Sequence, residues 1–350
     1  MNTDNNSRPL RRFALALLIA LILVALGVAC APPPPTPTPQ PTATAVPPTA
    51  TPVPPTATPT RVPPTATATP VPPTATPTRV PPSPTPAGLP PEPRPIKFKT
   101  TDGQATLDGL HYPAAAKGAP VVVLMHWAGS DQYDWAEVAF WLQNRGLGGK
   151  SPNPKKFPWL DPSWFPPVPK GQSLNVFTFT FRGCDASGCK QFGGREWWID
   201  ANSAMKQAGE LEGVEPGKIA AIGASIGADG APDGCFWLNA APGDIAGKGR
   251  CLGALALSPG NYLTVQYADA VKALQAESPP KPAWCLFGEQ DRGSAPTCRA
   301  ASGSAYRAIE YPGDLHGMFL IAPGVKPKGA DAGTLQLILD FLKLTLGPST

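Results

Sequence analysis

Proline is distributed so unevenly along this chain that it limits where a folded domain can lie. Of the 49 Pro among 350 residues, 27 fall in residues 31–95 and only 21 in residues 96–350. Because proline fixes φ and removes a backbone donor, a stretch so rich in it cannot form the hydrogen-bond ladders of a packed domain. The other 255 residues, 96–350, suffice for a single α/β domain.

Residues 31–95 have the composition of a spacer. An 18-residue sequence that begins at Thr51 is repeated with small changes from Thr69. Nothing in the repeat can build a core, and its proline content favours polyproline II. We predict a stalk that holds the following domain away from a surface. A passive linker with no required length is the alternative.

The first 30 residues have the pattern of an export signal. Three Arg between positions 8 and 12 precede an uninterrupted apolar run of 17 residues, 13–29, which suits a signal sequence better than a transmembrane helix. The following Cys30 resembles the lipidated cysteine of bacterial lipoproteins, although Gly27 stands where Leu is usual. An uncleaved membrane anchor and ordinary secretion are the alternatives. All three place the chain outside the cytoplasm, and the resemblance implies anchoring to the outer face of the membrane.

The positive charge is confined to the N-terminal part of the chain. Residues 1–80 hold five Arg and one Asp, which account for the whole formal charge of +4, so residues 81–350 sum to zero. A nucleic-acid-binding domain needs a basic surface. We therefore predict no nucleic-acid partner.

Beyond the spacer, the apolar pattern alternates between strand and helix periods. This alternation predicts an α/β domain with a mostly parallel sheet and helices on both faces. Catalytic groups on such sheets lie at the carboxyl ends of the strands. The predicted strands are residues 121–126, 175–181, 218–224, 251–258, 283–288 and 306–310, and the predicted helices are 131–144, 196–211 and 334–346.

The strongest chemical signal is a GxSxG motif at residues 223–227, GASIG. It directly follows a predicted strand and precedes a helix-like stretch. Small residues on both sides of Ser225 allow a sharp turn that lifts its hydroxyl out of the sheet, near a helix N-terminus. A serine hydroxyl is a poor nucleophile, so it requires a base and an orienting acid. The alternative is that Ser225 is only a small turn residue.

Candidates for both partners occur further along the chain. His316 is the only histidine after position 126, although it could be an ordinary loop histidine. Asp291 and Glu289 both follow the predicted strand at 283–288, and we favour Asp291 as the acid. The order Ser225, Asp291, His316 resembles that of the α/β-hydrolase superfamily. The resemblance covers residues 96–350 and, because no large insertion follows the strand at 251–258, is greatest to the dienelactone-hydrolase-like branch.

That resemblance also implies an oxyanion hole. The sequence HWAG at residues 126–129 occupies the place of the superfamily's HG-type motif, whose loop supplies one backbone donor. The donors would be the N–H groups of Ile226 and of Ala128, or less favourably Trp127, which stands where glycine is usual. His126 would shape the loop rather than act as the base. No metal or organic cofactor is implied.

Six cysteines besides Cys30 suggest disulfides, because an even number in an exported chain is typical of them. Metal binding is disfavoured because no CxxC pair occurs. Proximity in sequence suggests the pairs Cys184–Cys189, Cys235–Cys251 and Cys285–Cys298.

Residues 146–172 form an insertion rich in proline and aromatic residues. It could form a wall over the active site, or it could be a surface loop held down by its aromatic side chains. Trp197 and Trp198, at the start of a predicted helix, are expected in the core.

Together these features predict an exported, esterase-like serine hydrolase that works through an acyl-enzyme on a small-molecule or cell-envelope ester. Its membrane contact would be through an N-terminal lipid or helix. One alternative is a catalytically inactive hydrolase-fold domain that binds a ligand at the cell surface. Another is an acyltransferase that uses the same three residues.

Overall fold

The structure, a computed structural model, describes residues 90–145, 165–190, 196–243 and 247–347. All of them belong to the second of the chain's two units, Arg79–Thr350, and the first unit, residues 1–78, lies wholly outside them. The predicted export signal, Cys30 and nearly all of the predicted spacer therefore remain sequence predictions.

The described part of the second unit is built on an eight-stranded sheet. The strands are β1 Arg94–Lys99, β2 Thr106–Tyr112, β3 Ala119–Met125, β4 Asn175–Phe179, β5 Val214–Ala224, β6 Cys251–Leu257, β7 Ala283–Gly288 and β8 Tyr306–Tyr311. Their order in the sheet is β1-β2-β4-β3-β5-β6-β7-β8. The pairs β1/β2 and β2/β4 are antiparallel, and every other neighbouring pair is parallel.

Helices cover both faces of this sheet. Side chains of a strand alternate between faces, and in β3 Val122 and Leu124 join one hydrophobic cluster while Val121 and Val123 join another. The helices are α1 Ala136–Leu142, α2 Trp197–Glu210, α3 Ile226–Ala240, α4 Tyr267–Gln275, α5 Ser294–Ala300 and α6 Thr334–Leu346, with 3₁₀ turns at Gln132–Trp135 and Gly317–Ile321. The first cluster includes side chains of α1 and α6, and the second includes side chains of α2 and α3.

This architecture confirms the predicted α/β-hydrolase fold, a mostly parallel sheet between two layers of helices. All six predicted strands are present, β7 with the predicted ends and the others with ends shifted by a few residues. The predicted helix at 131–144 is instead a 3₁₀ turn followed by α1. The sequence pattern did not predict β1 and β2. The strand β1 lies at the sheet edge and buries little beyond Phe98, and Asp108, Gly109 and His111 interrupt the apolar residues of β2.

Three disulfides join the pairs that sequence proximity suggested: Cys184–Cys189, Cys235–Cys251 and Cys285–Cys298. The second ties α3 to β6, and the third ties β7 to α5. Within the described ranges, none of the helices is long and apolar enough to cross a bilayer.

The end of the insertion packs against the domain. Phe165 is buried, and its ring lies 5.4 Å from that of Trp141 in an edge-to-face arrangement. Trp141 also donates its indole N–H to the carbonyl of Pro166 (2.6 Å). Residues 146–164 lie outside the described part, so the two interpretations of the insertion stay open.

The two tryptophans at the start of α2 lie where the sequence predicted them. Trp197 is buried in the core, and Trp198 is half-buried and packs against the core.

Two buried carboxylates lie one turn apart on α3. Asp229 accepts three backbone hydrogen bonds, whereas Asp233 Oδ2 has no partner. Burial raises the pKa of Asp229 from 3.8 to about 6, against the opposing effect of its hydrogen bonds. Burial, and then the charge of Asp229, raises the pKa of Asp233 to about 7.

These raised pKa values predict a pH-dependent stability. The folded chain keeps both carboxyls protonated to a higher pH than the unfolded chain does, so the free energy of unfolding falls as pH rises from about 4 to about 7. Asp233→Asn removes the larger ionisation cost. We expect it to raise the free energy of unfolding at pH 8 by about 1–3 kcal/mol, with no gain at pH 4. Urea unfolding at both pH values measures this.

The matched control is Asp331→Asn, because Asp331 is exposed. It should leave the difference between the two pH values unchanged. An equal stabilisation by Asp233→Asn at pH 4 and pH 8 would show that packing, not ionisation, is responsible.

Candidate active site

Ser225 occupies the turn between β5 and α3. Its backbone has φ 52° and ψ −114°, a region that side-chain-bearing residues rarely adopt. Its N–H donates to the carbonyl of Leu257 on β6 (2.8 Å), and its carbonyl accepts from Ala228 N (2.9 Å). The strained turn is thus held from both sides, at the carboxyl end of the sheet.

The two glycines of the GASIG motif permit this turn. A Cβ on Gly223 would lie 1.8 Å from the carbonyl oxygen of Gly227. A Cβ on Gly227 would lie 2.3 Å from the carbonyl oxygen of Met125 and 2.7 Å from that of His126. Without a side chain, Gly223 lets the first turn of α3 fold back close to the end of β5. Without a side chain, Gly227 lets the same turn pack against the end of β3.

The structure brings Ser225, His316 and Asp291 together in one hydrogen-bonded chain. His316 Nδ1 lies 2.6 Å from Asp291 Oδ2, and His316 Nε2 lies 2.9 Å from Ser225 Oγ. An ionised carboxylate only accepts hydrogen bonds, so Nδ1 carries the proton and Nε2 accepts from the serine hydroxyl. This arrangement allows His316 to take the proton of Ser225.

Asp291 is held in its ionised form. It follows β7, and its Oδ1 accepts from the backbone N–H groups of Gly293 and Ser294, both at 3.1 Å. Burial would raise the pKa of this carboxyl, but hydrogen bonds from His316 and Ser294 outweigh it and keep the pKa below 3.8. The carboxylate therefore stays charged at neutral pH and fixes the orientation of the imidazole.

Glu289, the alternative acid, is directed elsewhere. Its carboxylate forms an ion pair with Lys328 and accepts a hydrogen bond from the N–H of Gly313. The hydrogen bond from Lys328 lowers the pKa of Glu289. The structure thus places Asp291, and not Glu289, against His316.

The other two histidines are engaged in the core. His126 Nδ1 donates to the carbonyl of Trp127 (2.6 Å), and its Nε2 accepts from the N–H of Phe181 (3.0 Å). Burial lowers the pKa of His126 to about 4, so it is neutral. His111 is buried against Asn175. His126 therefore holds the loop after β3 in place, as expected, and neither histidine is available as a base.

The two candidate oxyanion donors lie on segments that meet where Gly227 packs against Met125 and His126. The N–H of Ile226 is the first of α3, so no carbonyl within the helix accepts from it. Ala128 lies on the loop after β3, and its carbonyl accepts from Cys189 N (2.9 Å). Cys189 belongs to a short two-stranded ribbon closed by its disulfide to Cys184. The ribbon therefore braces the loop that carries Ala128.

Trp127, which stands where the superfamily has glycine, forms an apolar wall beside the serine. Its indole N–H donates to Asp134 Oδ2 (2.7 Å), and its ring lies 5.3 Å from that of Phe319, edge to face. A Cβ on Gly317 would lie 3.2 Å from the Trp127 ring and 3.8 Å from Ser225 Cβ. The Trp127 ring and Ser225 thus face the same space beside Gly317.

Phe319 and Tyr262 also lie close to these residues, and no motif in the sequence marks either of them. Phe319 is 43% exposed and follows His316 by three positions. Tyr262 lies on the loop after β6, with its ring 6.4 Å from that of His316. Their positions after a strand end and after the histidine were the only signals in the sequence.

No protein-family model matches this chain, and no curated protein does either. Among solved structures, an esterase of Pyrococcus furiosus is 15% identical at a TM-score of 0.48, covering 73% of this chain and 92% of the esterase. A thermophilic carboxylesterase cloned from a metagenomic library is 17% identical, with a TM-score of 0.46 and coverage of 75% and 92%. A dienelactone hydrolase-like promiscuous phosphotriesterase from metagenomic libraries is 14% identical, with a TM-score of 0.43 and coverage of 73% and 99%.

Proposed function

We propose that this chain is a serine hydrolase that cleaves carboxylic esters through an acyl-enzyme. The observation that carries the proposal is the unbroken hydrogen-bonded chain from Ser225 Oγ through His316 to Asp291. It combines a strained, held serine with a histidine whose second nitrogen is fixed by a carboxylate. These are the elements that nucleophilic acyl transfer requires.

In the first half-reaction, Ser225 Oγ attacks the ester carbonyl carbon while its proton passes to His316 Nε2. Collapse of the tetrahedral intermediate breaks the bond to the leaving alkoxide, which takes that proton from His316. In the second half-reaction, water attacks the acyl-enzyme, and His316 accepts and returns its proton in the same way. Asp291 stays ionised and stabilises the imidazolium that forms twice per cycle.

The oxyanion would be stabilised by the N–H groups of Ile226 and Ala128. The first lies at the N-terminus of a 15-residue helix, where the helix dipole favours negative charge. The second lies on the loop held by His126 and by the Cys184–Cys189 ribbon. Both donors are backbone groups on braced segments, so they need little reorganisation when charge develops.

We also propose that the protein acts outside the cytoplasm, anchored through Cys30 or through the apolar segment before it. Three disulfides support an oxidising compartment. An ester of the cell envelope or a small-molecule ester of the surroundings would then be the substrate.

The direct test is labelling of the purified full-length chain with a fluorophosphonate, followed by peptide mapping. We expect a single adduct on Ser225, because only an activated serine reacts rapidly with this probe. Ser225→Ala should abolish labelling and ester hydrolysis. Ser302→Ala, at an exposed position, is the matched control and should leave both unchanged.

The absence of label on folded, disulfide-intact protein would refute the hydrolase proposal and favour a surface binding domain. Labelling together with transfer of the acyl group to an added alcohol or sugar, in preference to water, would identify an acyltransferase instead.

A further inference from the structure

The two peptide groups that flank Ala128 are each held by a hydrogen bond. The carbonyl of Trp127 accepts from His126 Nδ1 (2.6 Å), and the carbonyl of Ala128 accepts from Cys189 N (2.9 Å). Because a peptide group is planar, fixing the Trp127 carbonyl also fixes the direction of the Ala128 N–H. The second bond fixes the peptide group on the other side of the Ala128 Cα. The orientation of the proposed oxyanion donor therefore depends on both His126 and Cys189.

Both bonds depend on one segment of the chain, residues 181–189, which follows β4. At its start, the N–H of Phe181 donates to His126 Nε2 (3.0 Å) and so holds the ring whose other nitrogen binds the loop. At its end, Cys189 supplies the second bond. Cys184 lies between them: its N–H donates to the carbonyl of Phe181 (3.1 Å), and its side chain forms the disulfide to Cys189. The disulfide thus links the two points at which this segment holds the loop.

The ribbon also packs directly against Ala128. Gly188, which precedes Cys189, is buried and has φ 108°. A Cβ on Gly188 would lie 3.1 Å from the carbonyl oxygen of Ala128 and 3.5 Å from the carbonyl carbon of Gly129. No side chain separates the ribbon from the loop at this point, so a shift of the ribbon shifts the loop.

The same loop borders the turn that carries the nucleophile. A Cβ on Gly227, two residues after Ser225, would lie 2.7 Å from the carbonyl oxygen of His126. On the other side, a Cβ on Gly317 would lie 3.2 Å from the Trp127 ring and 3.8 Å from the Cβ of the serine. A displacement of the ribbon therefore displaces a loop that lies beside the nucleophile.

This disulfide differs from the other two of the described residues in exposure and in loop length. Cys184 and Cys189 are half-buried, whereas the four cysteines of the other disulfides are buried. The bond spans a sequence separation of 5 residues, against 16 and 13 for the others. A disulfide constrains the unfolded chain less when it closes a shorter loop. Its contribution to global stability is therefore expected to be the smallest of the three, and its main effect is local.

We infer that Cys184 and Cys189 are positioning residues whose disulfide sets the orientation of the Ala128 N–H. Hydrolysis at the full rate then requires this bond to be oxidised. The inference rests on the proposed hydrolase function, in which that N–H stabilises the oxyanion. Such a donor acts on charge that develops only in the transition state, so its misplacement lowers kcat and leaves KM unchanged.

A double variant, Cys184→Ser with Cys189→Ser, tests this role by opening the ribbon. We expect kcat for hydrolysis of a short-chain ester to fall by about 10- to 100-fold at unchanged KM, because a donor that is held imprecisely loses much of its effect. Fluorophosphonate labelling should slow by a similar factor and still reach completion on Ser225. The thermal midpoint should fall only slightly.

The matched control is the double variant Cys235→Ser with Cys251→Ser. This disulfide ties α3 to the amino end of β6, whereas Ser225 contacts Leu257 at the carboxyl end of that strand. Because the bond closes a longer loop, its loss should lower the thermal midpoint more than the first variant does. It should leave kcat per folded molecule unchanged. The two double variants thus separate an effect on catalysis from an effect on global stability.

Reduction of the full-length wild-type chain tests the same bond without a substitution. A dithiol such as dithiothreitol attacks one sulfur, forms a mixed disulfide and leaves as its own cyclic disulfide, so two electrons and two protons pass to Cys184 and Cys189. Alkylation and peptide mapping identify which cysteines have been reduced. We expect this pair to be alkylated before the four buried cysteines, with kcat falling in parallel. Treatment with oxidised glutathione before alkylation should restore the activity.

A wild-type kcat in the variant that lacks Cys184 and Cys189, or after selective reduction of that pair, would overturn the inference and leave the hydrolase proposal standing. A rise in KM alone, or loss of the folded state when only this pair is reduced, would also overturn it. The disulfide would then act on substrate binding or on global stability. If the wild-type chain itself is not labelled at Ser225, the proposed function fails, and the inference fails with it.

Discussion

An alanine in place of His316 is expected to lower kcat/KM for ester hydrolysis by about 10⁴-fold or more. His316 Nε2 is the acceptor for the Ser225 proton at 2.9 Å, and no other histidine among the described residues has a free ring nitrogen near it. Without this acceptor the serine stays a neutral hydroxyl. The measurement is steady-state kinetics on a short-chain ester, together with the rate of fluorophosphonate labelling.

His111→Asn is the matched control for the loss of a histidine. His111 is buried in the core beside Asn175, so the variant should lower the thermal midpoint without lowering activity per folded molecule. Retention of near-normal activity by His316→Ala would show that another group removes the serine proton.

Asparagine in place of Asp291 is expected to lower kcat by about 10³- to 10⁴-fold. The amide lacks the charge that stabilises the imidazolium, and its NH₂ group can turn towards Nδ1 and favour the wrong tautomer of His316. Because hydrogen bonds from His316 and Ser294 hold the pKa of Asp291 below its usual value, the wild-type carboxylate is ionised at neutral pH and the amide is compared with a full negative charge. Steady-state kinetics at neutral pH measure the loss.

The matched variant is Glu289→Gln, two residues earlier on the same turn. Its carboxylate pairs with Lys328 rather than with His316, so kcat should remain close to wild type while the ion pair is lost. A large loss of activity in Glu289→Gln and a small one in Asp291→Asn would reverse the assignment of the acid.

The sequence predicted the strands β3 to β8 and the helices α2 and α6. β7 at Ala283–Gly288 and α6 at Thr334–Leu346 have the predicted ends, because a continuous apolar run and an amphipathic repeat are local signals. The strands β1 and β2 and the short helix α5 escaped prediction. In β1 only Phe98 is buried, and two of the buried side chains of α5, Ser294 and Thr297, are polar, so the apolar pattern is weak in both.

The residues of the candidate site can also be divided into those that the sequence identified and those that only the structure placed. Ser225 could be singled out from the sequence because the GASIG motif indicates a local turn, and that turn requires small neighbours such as Gly223 and Gly227. His316 could be identified because so few histidines exist in the chain. These signals depend on residues that are close in sequence or rare.

The choice of Asp291 over Glu289, and the placement of Tyr262, were decided only by the tertiary structure. Asp291 and Glu289 follow the same strand, and only the packing of the loop that carries His316 determines which carboxylate the imidazole meets. Tyr262 lies beside His316, on a loop whose three consecutive N–H groups are held by Asp229, which is buried on another element. Contacts between segments distant in sequence leave no periodic pattern, so the sequence alone determined the fold class and the candidate serine and histidine in their chain order, and folding decided how the supporting groups converge on them.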